Sequence, residues 1–289
     1  MFKKIVIFGV GLIGGSIALA LKKHPEAPHI VGVGRAQQSL QEALDLGLID
    51  SAETDIASAL HAADLVIIAT PVAQTPAILK AIRPYLDEST IITDAGSTKS
   101  DVMAYARAEL GDQVNQFVGG HPIAGAEKSG PAAAMADLYL GKNVILTPDA
   151  QTSNSALDQV SRLWQQCGAV VSHMSAQEHD SVFAAVSHLP HLLAFALVED
   201  LAKRSNAELL FKFAASGFRD FTRIAGSHPE MWRDIALANK TALLSELRLY
   251  QQALSDMTAL LEADDSRALH DLFEHASRAR NDWAKSKIQ

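Results

Sequence analysis

One cysteine, Cys167, is present in 289 residues, so the chain can form no internal disulfide and holds no thiolate cluster for zinc. It lies in a helical stretch, 157–167, where a buried structural thiol is expected. Excess positive charge is also missing. The net charge is −8, and no basic stripe carries interleaved aromatics, which argues against a nucleic-acid partner. Tandem repeats, low-complexity tracts and long linkers are absent, and no appended regulatory domain is expected. Nor is there a clean apolar run of about 18 residues, as a membrane span needs. The stretch from Lys3-Lys4 to Leu21 has the charged start and apolar middle of a secretory signal. Four glycines interrupt it, no small-x-small cleavage site is present, and Lys22-Lys23 close it. No later window comes closer, so a soluble, cytoplasmic protein without a membrane partner is expected.

What is present is ordinary globular composition, 48% hydrophobic and 20% charged, at a length that suits two domains. The apolar run Ile5-Val6-Ile7-Phe8 opens into Gly9-Val10-Gly11-Leu12-Ile13-Gly14-Gly15 and then a helical pattern. A strand entering G-x-G-x-x-G and leaving as a helix is the dinucleotide fingerprint. Gly9 permits the tight turn, Gly11 lets the backbone approach a pyrophosphate, and Gly14 lets helix and strand pack closely. Leu12 and Ile13 open the helix, whose free N–H groups and partial positive charge face the phosphates.

Short apolar runs at 30–34, 65–69 and 90–94 alternate with helical patterns at 39–46 and 72–86, as in a parallel doubly wound sheet. Later strands are expected at 114–119, 143–147 and 169–173. From Ser175 onward no strand-like run survives. Periodic stretches at 176–203, 207–218, 230–262 and 265–285 fill the remainder. The expected organisation is a Rossmann-type α/β domain, 1–173, followed by an all-helical domain, 174–289.

An NAD site usually carries an acid about 20 residues after the glycines, on the ribose 2′-hydroxyl. Here Gly34 and Arg35 stand at that place. Without the carboxylate a 2′-phosphate is not repelled, and Arg35 can pair with it while Ser39 adds a hydroxyl. NADP is therefore favoured over NAD, although Arg35 as a solvated loop residue would leave NAD possible.

Ligands of open α/β sheets bind beyond the carboxyl ends of the strands. Thr70-Pro71, Asp94-Ala95-Gly96-Ser97-Thr98-Lys99 and Gly119-Gly120-His121-Pro122-Ile123-Ala124-Gly125-Ala126-Glu127-Lys128-Ser129-Gly130 lie there. Glycines around His121 imply close backbone approach to a ligand. Ser97 could orient the His121 ring through a hydrogen bond. In the helical part, Ser187-His188-Leu189-Pro190-His191 sets two histidines on one helical face, with Pro190 able to bend the helix. They read either as satisfied polar residues at a kink or as a metal pair, though no third ligand is evident, so no metal is expected. Arg219 and Arg223 are four apart and suited to gripping a carboxylate, or to surface pairing with Asp220. Trp232 is more often core than ligand contact.

Taken together, these segments resemble the prephenate/arogenate dehydrogenase family of tyrosine biosynthesis, over almost the whole chain. The carrying motifs are the glycine loop, residues 94–99, 120–130, 187–191 and 217–223, and Met231-Trp232-Arg233-Asp234. The resemblance implies a Rossmann domain joined to a helical domain that forms a homodimer. It implies that His121 is the catalytic histidine, which draws off the proton of the substrate's ring hydroxyl as hydride leaves. Ser97 is implied as its partner, contacting that hydroxyl and the nicotinamide. Arg223 is implied as the anchor of the ring carboxylate, His191 and Gly217 as contacts to the side-chain end, and Glu127 as a polar gate. Arg219 stands where the family often has lysine, and His188 and Trp232 match with supporting roles.

The reaction implied is the oxidative decarboxylation of prephenate. Arogenate, which carries ammonium in place of the keto group, is the alternative, and an acid such as Asp180 near that end would favour it. A β-hydroxyacid dehydrogenase would need a catalytic lysine where this chain has residues 187–191. A non-catalytic NADP(H)-sensing protein would have no use for a converging serine, histidine and arginine.

Overall fold

The computed structural model describes residues 2–126 and 128–286. By contacts the chain divides into two compact units, Met1–Lys240 and Thr241–Gln289. The first is built on strands β1 (Lys4–Phe8), β2 (His29–Val33), β3 (Ser51–Glu53), β4 (Leu65–Ile68), β5 (Ile91–Asp94), β6 (Phe117–Pro122), β7 (Asn143–Thr147) and β8 (Val170–His173). They form one sheet in the order β3-β2-β1-β4-β5-β6-β7-β8. Helices α1 (Leu12–Lys22), α2 (Gln37–Asp45), α3 (Ile56–Leu60), α4 (Thr75–Ile82), α5 (Ser100–Leu110) and α6 (Asn154–Gln166) connect and cover it.

Period-two alternation along the strands explains why both faces are covered. Ile5 and Ile7 of β1 join a core with Ile17 of α1 and Trp164 of α6. Val6 and Phe8 point to the opposite face and pack with Leu79 of α4 and Met103 of α5. The α/β doubly wound fold expected from the sequence is thus present, with two differences. The strand β3 has the sequence Ser-Ala-Glu and is half-buried throughout, so it gives no apolar signal. The strand β7 runs antiparallel to β6, pairing His121 with Ile145 and Pro122 with Val144. Among the described residues of 123–142, which join them, there is a short 3₁₀ turn at Pro131–Ala133 but no crossover helix to carry the chain back to the other end of the sheet.

Other boundaries shift for identifiable reasons. Residues 114–116 belong to a 3₁₀ turn, Gly111–Gln116, and β6 runs on through His121. The helix expected at 72–86 is broken into 3₁₀ turns at Val72–Gln74 and Arg83–Tyr85 around α4, where Pro76 and Pro84 start new elements. Cys167 caps α6 and is buried, and burial pushes its thiol up to about 12.

After β8 the chain is helical: α7 (Ala176–Phe183), α8 (Leu189–Ala202), α9 (Ala207–Lys212), α10 (Ser216–Thr222) and α11 (Pro229–Ala238). The capping box of Ser175 and Glu178 starts α7. A π-turn, Ala184–His188, separates α7 from α8 just ahead of Pro190. The helical stretch Ala176–Ala202 contains an 18-residue window with a mean hydropathy of 1.7, long and apolar enough to cross a membrane by length and composition alone. This corrects the expectation that no window after the N-terminal one comes closer to a span. His188 and His191 interrupt the run in the sequence, which is why it did not stand out. The first is buried and the second half-buried, each with protein partners described below.

The second unit holds α12 (Lys240–Glu262) from Thr241 onward and α13 (Ser266–Ser286). Leu249, Leu254, Leu261, Phe273 and Trp283 are exposed along these two helices.

Candidate active site

The parallel strands β1, β4, β5 and β6 end at one edge of the sheet, and the strand order reverses direction between β1 and β4. The glycine loop occupies that switch point, where this fold class binds its nucleotide. Gly9 has φ +91°, and a Cβ there would lie 2.8 Å from the Ala69 carbonyl oxygen. A Cβ on Gly14 would lie 2.2 Å from the Gly9 carbonyl oxygen, so helix and turn can be this close only without a side chain. Gly11 has nothing within 4 Å of its Cβ position, leaving an open approach to the backbone. No side chain caps the start of α1, where Leu12 and Ile13 lie, and no acid stands in its first turn. These features fit a dinucleotide pyrophosphate. Thr70 and Pro71 follow β4 at the same edge. Arg35 is exposed just beyond β2, and Ser39 is exposed on α2, whose first turn carries no acid.

Beneath this edge lies a polar layer. Asp94, at the end of β5, and Lys99 form a fully buried ion pair. Asp94 also accepts from Gly96 N at 2.8 Å and from Gly120 N at 3.0 Å, so it ties the Ser97 loop to β6. Both residues stand in the motif read from the sequence, but without neighbours in space they had no assignable role.

His121 projects from β6, half-buried, with its ring centroid 4.9 Å from that of Phe183. Its Nδ1 lies 2.8 Å from His179 Nε2. His179 Nδ1 in turn lies 2.8 Å from Asp180 Oδ1. The partner of the His121 Nδ1 is therefore His179, not Ser97 as the sequence led us to expect. Asp180 accepts from Lys99 N on Oδ1 and from Ser100 N on Oδ2, each at 2.8 Å. It thus caps the start of α5 with negative charge, which the helix dipole favours. Both of its oxygens are engaged by protein donors.

Burial and these neighbours set the protonation states. Burial holds the His121 imidazole well below the ordinary histidine value, and the adjoining His179, Lys99 and His188 push the same way. Burial also lowers His179, against the opposing pull of Asp180. Burial tends to raise the Asp180 carboxyl, but hydrogen bonds from His179, Ser100 and Lys99 outweigh it and keep the carboxyl low.

The two histidines expected on one helical face have separate surroundings. His188, on the π-turn, is buried, and Asn239 Nδ2 donates to its Nδ1 at 3.1 Å and to the Asp180 carbonyl at 2.7 Å. Burial brings His188 down to about 4, although Asp180 and the Ser97 backbone pull it upward. Its folded pKa lies below the unfolded value near 6.5, so the folded state gains nothing from protonation there. The stability linked to this ring is full above about pH 6.5 and falls as pH drops toward 4, by about 3 kcal/mol in all. His188→Asn should flatten the pH dependence of the urea midpoint across that window.

His191 stacks on Trp232 at 3.6 Å between ring centroids, and its Nδ1 donates to the Ser187 carbonyl at 2.8 Å. Burial lowers its pKa, the Ser187 carbonyl opposes this, and the charge of Arg223 lowers it further. Arg223 follows the last turn of α10 and so stands within electrostatic reach of the His191–Trp232 pair. Gly217, in the first turn of α10, has open space at its Cβ position. Arg219 is exposed and pairs with Asp220 at 3.6 Å. Glu127 lies outside the described residues.

Fold and site together define a nucleotide-binding oxidoreductase scaffold whose sheet edge presents a buffered imidazole. The comparisons narrow this. Residues 17–173 match the nucleotide-binding domain of prephenate dehydrogenase, and residues 175–275 match its dimerization domain. The chain belongs to the prephenate dehydrogenase family. It is 41% identical to the prephenate dehydrogenase of Bacillus subtilis over 279 residues, covering 96% of this chain and 75% of that one. It is 35% identical to the cyclohexadienyl dehydrogenase of Zymomonas mobilis, covering 97% and 96%. A crystal structure of prephenate dehydrogenase from Aquifex aeolicus, in complex with hydroxyphenyl propionate and NAD+, superposes with a TM-score of 0.93 at 39% identity, covering 98% of each chain.

Proposed function

We propose that this protein is a prephenate dehydrogenase, which converts prephenate to 4-hydroxyphenylpyruvate and carbon dioxide in tyrosine biosynthesis. The observation that carries the reading is the place of His121. It stands at the carboxyl end of β6, on the edge that holds the glycine loop, with one ring nitrogen engaged by His179.

Bound at the glycine loop, a nicotinamide dinucleotide supplies the hydride acceptor. His121 takes the proton of the ring hydroxyl, and a base so placed contributes about 10²–10⁴-fold. Its lowered pKa keeps the ring in the unprotonated, proton-accepting form at neutral pH. Ser97 orients the hydroxyl end. Arg223 holds the ring carboxylate, which leaves as carbon dioxide while the ring becomes aromatic. His191 and Gly217 take the side-chain end, Glu127 is a polar gate, and His188 and Trp232 are in support, with Arg219 beside them where the family often has lysine. The engagement of both Asp180 oxygens by α5 and His179 supports prephenate over arogenate, since the carboxylate is already committed to protein donors.

The cofactor proposed is NADP, on the strength of Arg35 and Ser39 beyond β2 and the missing acid. Arg35→Ala should lower kcat/KM for NADP+ by about 10- to 100-fold, the worth of a charge-assisted pair, and change that for NAD+ little. Equal losses with both cofactors would remove Arg35 from the 2′-phosphate. The domain division proposed is 1–173 for the nucleotide and 174–289 for substrate and dimer contacts. The family's dimerization domain and the exposed apolar side chains of α12 and α13 support a homodimer. The single buried thiol suits the reducing cytoplasm as its compartment. The test is reduced-nicotinamide formation from prephenate and from arogenate, each with NAD+ and NADP+. Turnover of arogenate alone would replace the proposed substrate.

A further inference from the structure

The chain of contacts that runs from α5 to His121 fixes more than distances. Asp180 faces two backbone N–H donors, from Lys99 and Ser100, and is held as a carboxylate. A carboxylate accepts only, so the proton between Asp180 and His179 sits on His179 Nδ1. Burial keeps His179 neutral, which leaves its Nε2 bare. A bare Nε2 accepts only, so the proton between the two rings sits on His121 Nδ1. His121 Nε2 is then the nitrogen with a free lone pair. In water a neutral imidazole prefers the other tautomer, with its proton on Nε2, so this selection is imposed by the protein.

We propose that His179, anchored by Asp180, is a positioning residue that locks His121 in the Nδ1–H tautomer and aims Nε2 at the substrate hydroxyl. The inference rests on His121 being the base. Asp180 is fixed in turn by the N-terminus of α5, and Asn239 holds its carbonyl, so the Asp180 end of the chain of contacts is anchored in the core. Phe183 closes one side of both rings, with centroids 4.9 Å from His121 and 4.5 Å from His179, which limits ring rotation. None of these residues carries a proton out of the site. Their work is orientation, as with other partners that fix a histidine's tautomer.

The test compares His179→Leu, His179→Gln and His121→Asn, together with the double variant His179→Leu/His121→Asn, in the intact protein with prephenate and saturating cofactor. His179→Leu should lower kcat by about 10- to 100-fold, the usual loss when such a partner is removed, with KM nearly unchanged. His179→Gln should recover most of the loss, because its amide oxygen can accept from His121 Nδ1–H. In the double variant the His179 change should cost nothing further, since no imidazole remains to be positioned. An unchanged kcat in His179→Leu would overturn the proposal, and so would losses that simply add in the double variant. If His179→Leu does not fold, His179→Asn, too short to reach His121, replaces it against His179→Gln. Near-native turnover in His121→Asn would instead defeat the assignment of the base, a separate failure.

Discussion

His121→Asn is expected to lower kcat by about 10³-fold, within the range for loss of a general base, and to change KM for prephenate by less than about three-fold. The argument is one of geometry and charge. Asparagine is close to the imidazole in size, so the substrate's contacts elsewhere remain. Its amide nitrogen has no basic lone pair, so the hydroxyl proton has nowhere to go as the ring is oxidised. A variant that lost KM but kept kcat would show that His121 binds without acting on the proton.

Asp94→Ala should give the largest loss of stability. Lys99 would be left fully buried without its ion-pair partner, and Gly96 N and Gly120 N would each lose an acceptor. Removing one partner of a buried pair costs about 3–5 kcal/mol, because the surviving charge stays desolvated. For a chain of this size that is a fall in Tm of about 10 °C. The urea m-value should stay constant, since native compactness is retained. Activity should fall as well, because Asp94 joins the Ser97 loop to the strand that bears His121. A Tm within about 2 °C of the parent would mean that the Lys99 charge finds water or another partner.

Much of this was legible in the sequence, for reasons that differ by element. The strands β1, β2, β4 and β5 announced themselves as apolar runs because they are buried on both faces. The glycine loop was legible because Gly9 and Gly14 answer a backbone demand that no other residue meets. The edge strand β3 was not, since Ser51-Ala52-Glu53 pairs through its backbone and buries little. The reversed direction of β7 was hidden for a similar reason: direction depends on what the connection contains, and 123–142 reads only as irregular.

Of the proposed site residues, His121, Ser97, His191 and Arg223 were picked out by motif. His179 was missed, although it stands next to Asp180 and directly after a capping box. Its role comes from a contact 58 residues away in the chain, which no local pattern carries. Asn239 was missed likewise, 59 residues from the Asp180 carbonyl it holds. Hydrogen bonds across such separations are made by the fold, and the sequence shows only the residue types that could make them.

The central claim is that this site oxidises and decarboxylates a cyclohexadienyl acid with His121 as base. It is tested most directly by mixing the protein with prephenate and NAD+ or NADP+ and following reduced nicotinamide together with released carbon dioxide. The account predicts both products in equal amounts, and a loss of both in His121→Asn. No turnover of prephenate with either cofactor, or turnover that survives in His121→Asn, would contradict it.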